Sequence, residues 1–380
     1  MYSRLLEVPQ RQSFFLFGPR GTGKTAWVTA RFPDAVRFDL LDARTYSRLL
    51  SDPALLGDLV PSSHRGWVVV DEIQRVPSLL DEVHRLIESR GLRFVLTGSS
   101  ARKLRRGGVN LLAGRALTRF MHPLTARELG TDFDLRRALR IGGLPFAWTT
   151  PAPEDYLGAY TSTYLREEVL QEGLTRNLAA FARFLETSSF SQASVLNMAA
   201  IARECGIGAK AAENWFTLLE DLLIAVRVPA FTRRAKRRVV LHPKFYLFDA
   251  GVFRAVRPRG PLDSAEEIDG PALETLVLQH LRAWNDYGNL GYSIHFWRSA
   301  EGDEVDFVLH GARGLVAIEV KRSARYRRED LKGLTRFLGD YPRARAVLLH
   351  PGGRRWHEAG VDVVPLTEAF ADLDAALSPR

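Results

Sequence analysis

The 380-residue chain has a single cysteine, Cys205, and only three methionines. One thiol excludes intrachain disulfides and cysteine-rich zinc sites, and it fits a reducing, cytoplasmic compartment. No apolar run approaches the ~18 residues that would cross a bilayer, so no membrane association is expected. The opening Met1-Tyr2-Ser3-Arg4-Leu5 has no signal-peptide core. An internal repeat, a low-complexity tract and the Asn/Thr-Lys-x-Asp pattern that reads guanine are also missing. Acidic residues are the scarcer charge, 44 against 53 basic ones, and the net charge of +9 favours a polyanionic partner. With 46% hydrophobic and 26% charged residues, the chain has the composition of an ordinary globular protein, and its length suggests two or three domains.

What is present starts with Gly18-Pro19-Arg20-Gly21-Thr22-Gly23-Lys24-Thr25, a complete G-x-x-x-x-G-K-T loop. It follows the apolar run Phe14–Phe17 and opens onto Ala26-Trp27-Val28, so it sits between a strand and a helix. Glycines let such a backbone curl until successive N–H groups point inward and cradle the β- and γ-phosphates. Lys24 adds a point charge on those phosphates, and the Thr25 hydroxyl can ligate Mg²⁺. A nucleoside triphosphate is therefore expected, and ATP is preferred because the guanine signature is missing.

The run Trp67-Val68-Val69-Val70 reads as a strand buried on both faces, and it ends in Asp71-Glu72. Carboxylates at the carboxyl end of such a strand stand where open α/β sheets bind ligands. Asp71 is expected to hold Mg²⁺ through water, and Glu72 to orient and deprotonate the attacking water. A further strand, Leu92–Leu96, runs into Thr97-Gly98-Ser99-Ser100. Thr97 and Ser99 can reach a γ-phosphate, as the first sensor residue does in AAA-type ATPases, or the serines can cap the next helix. Arg115, ahead of the strand-like Ala116–Phe120, occupies the place where AAA-type ATPases carry an arginine finger donated to a neighbouring subunit. Arg119 is the alternative, and a ring or other homo-oligomer follows from either.

Residues 188–252 read as a winged helix-turn-helix. Met198–Cys205 has helical apolar spacing, Gly206-Ile207-Gly208 a turn, and Ala211–Ile224 a second helix with Trp215, Leu218, Leu219, Leu222 and Leu223 on its apolar face. Val226–Val228 and Lys244–Phe248 are candidate wing strands. Between them lie Arg233, Arg234, Lys236, Arg237 and Arg238, five positive charges in six residues. In such a fold the second helix, bearing Lys210 and Asn214 near its start, can enter a major groove of DNA while the wing touches phosphate. The same fold also serves protein contacts.

In the last third, Gly302–Leu309 alternates as a strand does, His310–Gly314 turns, and Leu315–Lys321 returns. A hairpin there brings Asp306 beside Glu319, with Lys321 on the same face. Asp followed by Glu-x-Lys on the next strand resembles the signature of the restriction-endonuclease-like nucleases. That resemblance implies carboxylates holding Mg²⁺, a lysine polarising the nucleophile, and Glu274 on the helical run Pro271–Trp284 as an additional acidic residue. Asp303 and Glu304 compete for the metal role, and a surface ion network is the plainer reading. Tyr326–Leu338 reads as a helix and Ala344–Leu349 as a strand.

Val70–Pro77, Leu96–Ser100, Leu112–Arg115, Gly142-Gly143-Leu144-Pro145, Tyr164–Glu168, Pro243–Gly251 and Ile318–Lys321 together resemble a family of bacterial and archaeal ATP-binding proteins. These pair an AAA-type domain with a long C-terminal domain of unknown function. The resemblance implies ATP hydrolysis, with DNA handling as its purpose. The expected fold class is a multidomain α/β protein. Its parts are a P-loop AAA-type parallel sheet in 1–130, a helical lid or connector in 131–187, the winged helix-turn-helix, and a restriction-endonuclease-like α/β domain in 253–380. Either ATP drives DNA remodelling or translocation, coupled to cutting by the last domain, or the chain is a nucleotide-regulated switch, scaffold or defence module whose last domain only holds a partner.

Overall fold

The computed structural model describes residues 2–100, 112–164, 169, 177–233, 239–258, 260, 263–325 and 327–377. They pack as two compact units. One comprises Ser3–His122 with Asp221–Leu223, and the other Met1–Tyr2, Pro123–Glu220 and Ile224–Arg380.

The first unit is built on a five-stranded parallel sheet. Its strands are β1 (Ser13–Phe17), β2 (Val36–Asp39), β3 (Trp67–Asp71), β4 (Arg93–Gly98) and β5 (Ala116–Phe120), in the order β2-β3-β4-β1-β5. Every residue of β1 is buried, as a continuous apolar run between two flanking strands requires, whereas edge strand β5 is only half-buried. Phe15, Phe17, Val68, Val70, Phe94 and Leu96 meet Leu79, Val83 and Leu86 of the helix Leu79–Arg90 in one core. The order places β4 between the strand that feeds the glycine-rich loop and the strand that ends in Asp71. All three therefore finish at one sheet edge.

The second unit opens with short helices, Leu135–Ile141, Pro145–Thr149 and Pro153–Ala159, the last two with proline in the first turn, where its missing N–H costs nothing. Two motif segments distant in sequence close on each other here. Asp249, fully buried, accepts N–H bonds from Gly251 (2.8 Å), Val252 (3.0 Å) and Gly143 (2.7 Å). A Cβ on Gly142 would fall 1.9 Å from the Asp249 carboxylate, and one on Gly251 only 2.3 Å from the Ile141 backbone. The Gly142-Gly143 and Asp249-Ala250-Gly251 motifs thus form a packed anchor.

Farther along, helix Met198–Glu204, a turn at Gly206 (φ 66°) and helix Ala209–Asp221 lead to a small antiparallel sheet. It consists of β6 (Ser194–Val195), β7 (Ala225–Val228) and β8 (Lys244–Leu247), with β8 in the middle. The second helix stops before Leu222 and Leu223, and Leu223 takes a left-handed φ of 60°. Helix Ala265–Tyr287 begins six residues earlier than Pro271, because a capping box between Ser264 and Glu267 starts it and carries the proline inside.

A six-stranded mixed sheet completes the unit. In order β13-β14-β12-β11-β10-β9 it contains β9 (Ser293–Arg298), β10 (Glu304–Gly311), β11 (Gly314–Val320), β12 (Arg345–His350), β13 (Trp356–Glu358) and β14 (Val361–Pro365). The first three strands are antiparallel neighbours, and β11, β12 and β14 are parallel. Helix Lys332–Asp340 covers the sheet through Leu334 and Phe337, which pack on Val305, Ala317 and Leu348.

Candidate nucleotide site and carboxylate cluster

The glycine-rich loop leaves the buried end of β1 and enters helix Lys24–Arg31. Gly21 and Gly23 take φ values of 82° and 90°, which glycine adopts without steric cost. Gly18 lies so close to the Met121 carbonyl that a Cβ would approach it to 2.4 Å. Lys24 is buried, and its ammonium donates to the carbonyls of Gly18 (2.7 Å) and Pro19 (3.1 Å), drawn back over the loop it would serve. Thr22 donates to the Pro19 carbonyl at 2.8 Å, and Arg20 is exposed. From before β1, Arg4 donates to the carbonyls of Thr22 (2.9 Å) and His122.

Three strand ends meet beside that loop. The Thr25 hydroxyl donates to one Asp71 oxygen at 2.9 Å, and the Thr97 hydroxyl donates to the other. The Glu72 N–H in turn donates to Thr97 at 3.3 Å. Glu72 itself has a φ of 59°, strained for a residue with a side chain. Its carboxylate accepts from the Gln74 amide, which also donates to Ser99 at 3.1 Å. Gln74 was not singled out from sequence. The signal was a buried-type position two residues past Glu72 carrying an amide, and a Cβ on Gly98 would come within 2.5 Å of that amide's oxygen. Loop, carboxylates and Thr97–Ser99 thus form one connected polar set.

Arg115 lies elsewhere. Ala116 is paired with Ser13 and Phe120 with Phe17, so Arg115 stands at the amino end of the sheet and Gly18 at the carboxyl end. Five residues at ~3.3 Å each separate the two ends. Arg115 instead pairs with Glu88 on helix Leu79–Arg90, holding that carboxyl below its usual range, while Arg119 donates to the Thr118 carbonyl at 3.1 Å. Neither distance nor pairing lets Arg115 reach its own loop.

On helix Ala209–Asp221, Lys210 and Asn214 face solvent, and Arg233 is exposed. Arg234, Lys236, Arg237 and Arg238 lie outside the described residues. The same helix presents Glu213 and Glu220, both held by Arg227 of β7 at 2.6 Å.

The hairpin pairs Phe307 with Ile318, and one step farther Asp306 and Glu319 come side by side. Asp306 accepts the Val320 N–H at 2.9 Å, and Glu319 accepts from Lys321 at 2.6 Å. The larger finding is Lys244 of β8, whose side chain is 2% exposed. Its ammonium reaches Asp306 at 3.1 Å, Glu274 at 3.5 Å and Glu304. Tyr246, two residues along β8, donates to the same Glu274 oxygen at 2.9 Å. Asp303 pairs instead with Lys332 at 2.8 Å and Arg336 at 3.7 Å. Burial and the charge of Asp306 push the Glu274 carboxyl up to about 8 and drive Glu319 well above the carboxylate range. Burial opposes the charge of Lys244, but the surrounding carboxylates outweigh it and keep the ammonium protonated. Among the described residues, no three histidine, cysteine or carboxylate side chains converge to hold a metal ion.

Comparison with known proteins matches three successive segments of the chain. Residues 10–130 match the family model described as AAA domain. Residues 132–263 match a domain of unknown function (DUF8612), and residues 269–369 match another (DUF4143). The chain therefore carries an AAA domain of the P-loop class followed by two domains of unknown function. No curated protein matches it. Among solved structures, the Orc1 protein of Aeropyrum pernix in complex with DNA is 14% identical, with 66% of this chain and 87% of that one covered and a TM-score of 0.26. Protein VC1899 of Vibrio cholerae is 13% identical, with 96% of each chain covered and a TM-score of 0.24. Neither likeness is close enough to bear on function. No helix among the described residues is long and apolar enough to cross a membrane.

Proposed function

We propose that the chain binds and hydrolyses ATP, and couples turnover to DNA. The observation that supports this most directly is the contact series from Thr25 through Asp71 to Thr97 and the Glu72 backbone. It joins the phosphate loop to the residues that would handle the attacking water. Gly18 to Thr25 form the cradle, and Lys24 exchanges its loop carbonyls for phosphate oxygens. Thr25 and Asp71, two hard oxygen donors 2.9 Å apart, suit Mg²⁺, which when bound neutralises charge on the transferring phosphoryl group. Glu72, steadied by Gln74, accepts a proton from water. Thr97 and Ser99 report whether the γ-phosphate is present. Arg115, too far from its own loop, serves a neighbouring copy in a ring or other homo-oligomer.

DNA contact falls to the helix-turn-helix segment, with Lys210 and Asn214 on its second helix and the basic run 233–238 as a wing. A second reading has a specific observation in its favour. That helix also displays Glu213 and Glu220, and acids do not suit a groove lined with phosphates. On this reading the segment binds a protein, and ATP controls assembly. ATP turnover of Lys24→Ala, Glu72→Gln and wild type, with and without duplex, single-stranded and branched DNA, tests both parts. Lys24→Ala should lose nucleotide binding or turnover. Glu72→Gln should bind without hydrolysing. Hydrolysis by Glu72→Gln equal to wild type defeats the role given to Glu72, absence of turnover in wild type defeats the ATPase assignment, and turnover indifferent to every DNA leaves only the assembly reading.

A further inference from the structure

We infer that the acidic cluster of the C-terminal sheet is charge-balanced from within by Lys244, and that it is not a divalent-metal site. Lysine has three N–H donors and no acceptor. Here each donor finds a carboxylate: Asp306 at 3.1 Å, Glu274 at 3.5 Å, and Glu304. The ammonium is saturated, and it stands where a shared cation would have to stand.

Most of the oxygens that Mg²⁺ needs already serve other donors. One Asp306 oxygen accepts the buried Val320 N–H and the other accepts from Lys244. The first oxygen has only its second lone pair to offer. One Glu319 oxygen is taken by Lys321, while its Oε2 is buried without a partner among the described residues. A Mg²⁺ ion needs about six oxygens at ~2.0–2.1 Å. An ion at that distance from the Asp306 oxygen that lies 3.1 Å from Lys244 could stand no farther than about 5 Å from the ammonium, and in a buried setting the two cations repel strongly. Asp306 and Glu319 keep the endonuclease-like arrangement, then, but the cation is already supplied.

The supplier does not belong to the hairpin. Lys244 and Tyr246 project from the same face of β8, as alternate strand residues do, and both grip Glu274 on helix Ala265–Tyr287. This two-pronged contact ties the three-stranded sheet to that helix, and the bonds from Lys244 to Asp306 and Glu304 of β10 tie it to the six-stranded sheet within one compact unit. The inference concerns this domain alone and is independent of the ATPase reading.

Mn²⁺ uptake by nucleotide-free, full-length protein, followed by electron paramagnetic resonance, tests it. Wild type and Asp306→Asn should take up Mn²⁺ indistinguishably. Lys244→Met should have a lower Tm and bind Mn²⁺ at least roughly tenfold more tightly than wild type, because a nearby positive charge is gone. The gain should vanish in Lys244→Met with Asp306→Asn. If Lys244→Met does not fold, the first comparison still decides the matter. Wild-type Mn²⁺ binding or Mn²⁺-dependent DNA cleavage that is lost in Asp306→Asn would overturn the inference. So would a folded Lys244→Met protein with no gain in Mn²⁺ affinity.

Discussion

His280 builds an acid sensitivity into the second unit, and its size can be worked out from the structure. The imidazole is buried in helix Ala265–Tyr287, stacked on Phe370 with centroids 4.0 Å apart and edge-on to Phe133 at 6.3 Å. Nε2 accepts the Ala126 N–H at 2.9 Å, and Nδ1 faces the Leu276 carbonyl at 2.8 Å. Those two bonds use up a neutral ring, which has one acceptor and one donor. A second proton would set N–H against N–H in a buried setting. Burial accordingly lowers the group from 6.5 to about 4. With the folded value depressed, the unfolded chain takes up the proton first as pH falls. Stability is complete above ~6.5 and erodes down to ~4. The 2.5-unit gap, at about 1.4 kcal/mol per unit, comes to about 3 kcal/mol.

Three buried carboxyls act in the opposite sense. Asp249 is raised from 3.8 to about 6, Glu274 from 4.5 to about 8 and Glu319 well above its usual range, so the stability they lend at low pH fades as pH rises through those windows. The wild-type profile therefore mixes several contributions, and His280→Phe isolates one. Phenylalanine keeps the stacking on Phe370 and orphans the Ala126 N–H, a cost that does not vary with pH. Urea unfolding at pH 7 and pH 4, followed by tryptophan fluorescence, reads the difference. Wild type should lose about 3 kcal/mol more than the variant between those pH values. Equal losses would refute a buried neutral imidazole.

Other outcomes follow from the same geometry. Gln74→Ala releases the Glu72 carboxylate and should lower ATP turnover by roughly 10²-fold while nucleotide affinity holds, since misplacement of about an ångström costs that much; unchanged turnover removes Gln74 from the site. If Arg115 acts in a neighbouring copy, turnover per subunit should rise with protein concentration, and Arg115→Ala should cut it by about 10³–10⁵; a rate independent of concentration contradicts this. Neutralising Arg233, Arg234, Lys236, Arg237 and Arg238 should flatten the salt dependence of DNA binding by about 0.9 in log–log slope for each lost phosphate contact. An unchanged slope places DNA elsewhere or removes it. Asp249→Ala strips three buried N–H groups of their acceptor and should destabilise the second unit by about 3 kcal/mol or more, read as a lower urea midpoint.

Much of the first unit was legible because its signals are local. The apolar run Phe14–Phe17, the glycines that follow and the β-branched Val68–Val70 dictate backbone conformation within a few residues of themselves. The observed strands depart from expectation by a residue or two, and β5 spans Ala116–Phe120 as read. Helix starts were harder to read. The segment from Pro271 seemed to begin at its proline, but the capping box at Ser264 lies seven residues upstream, and a box of polar side chains carries no hydrophobic period.

The amino-acid sequence by itself determined the phosphate loop, the strand that ends in Asp71-Glu72, and the hairpin that sets Asp306 beside Glu319. Each depends on spacing along one strand or across one turn. Only the tertiary structure decided which charges answer which. Lys244 lies 62 residues before Asp306, yet it supplies the cation for that cluster. Gln74 reads as one more residue after a strand until β4 brings Ser99 against it. Arg115 stands at the far end of the sheet from its own loop, which strand pairing and not spacing decides. A carboxylate's partner is whichever donor the packing of other elements delivers to it, and burial then forbids leaving it without one.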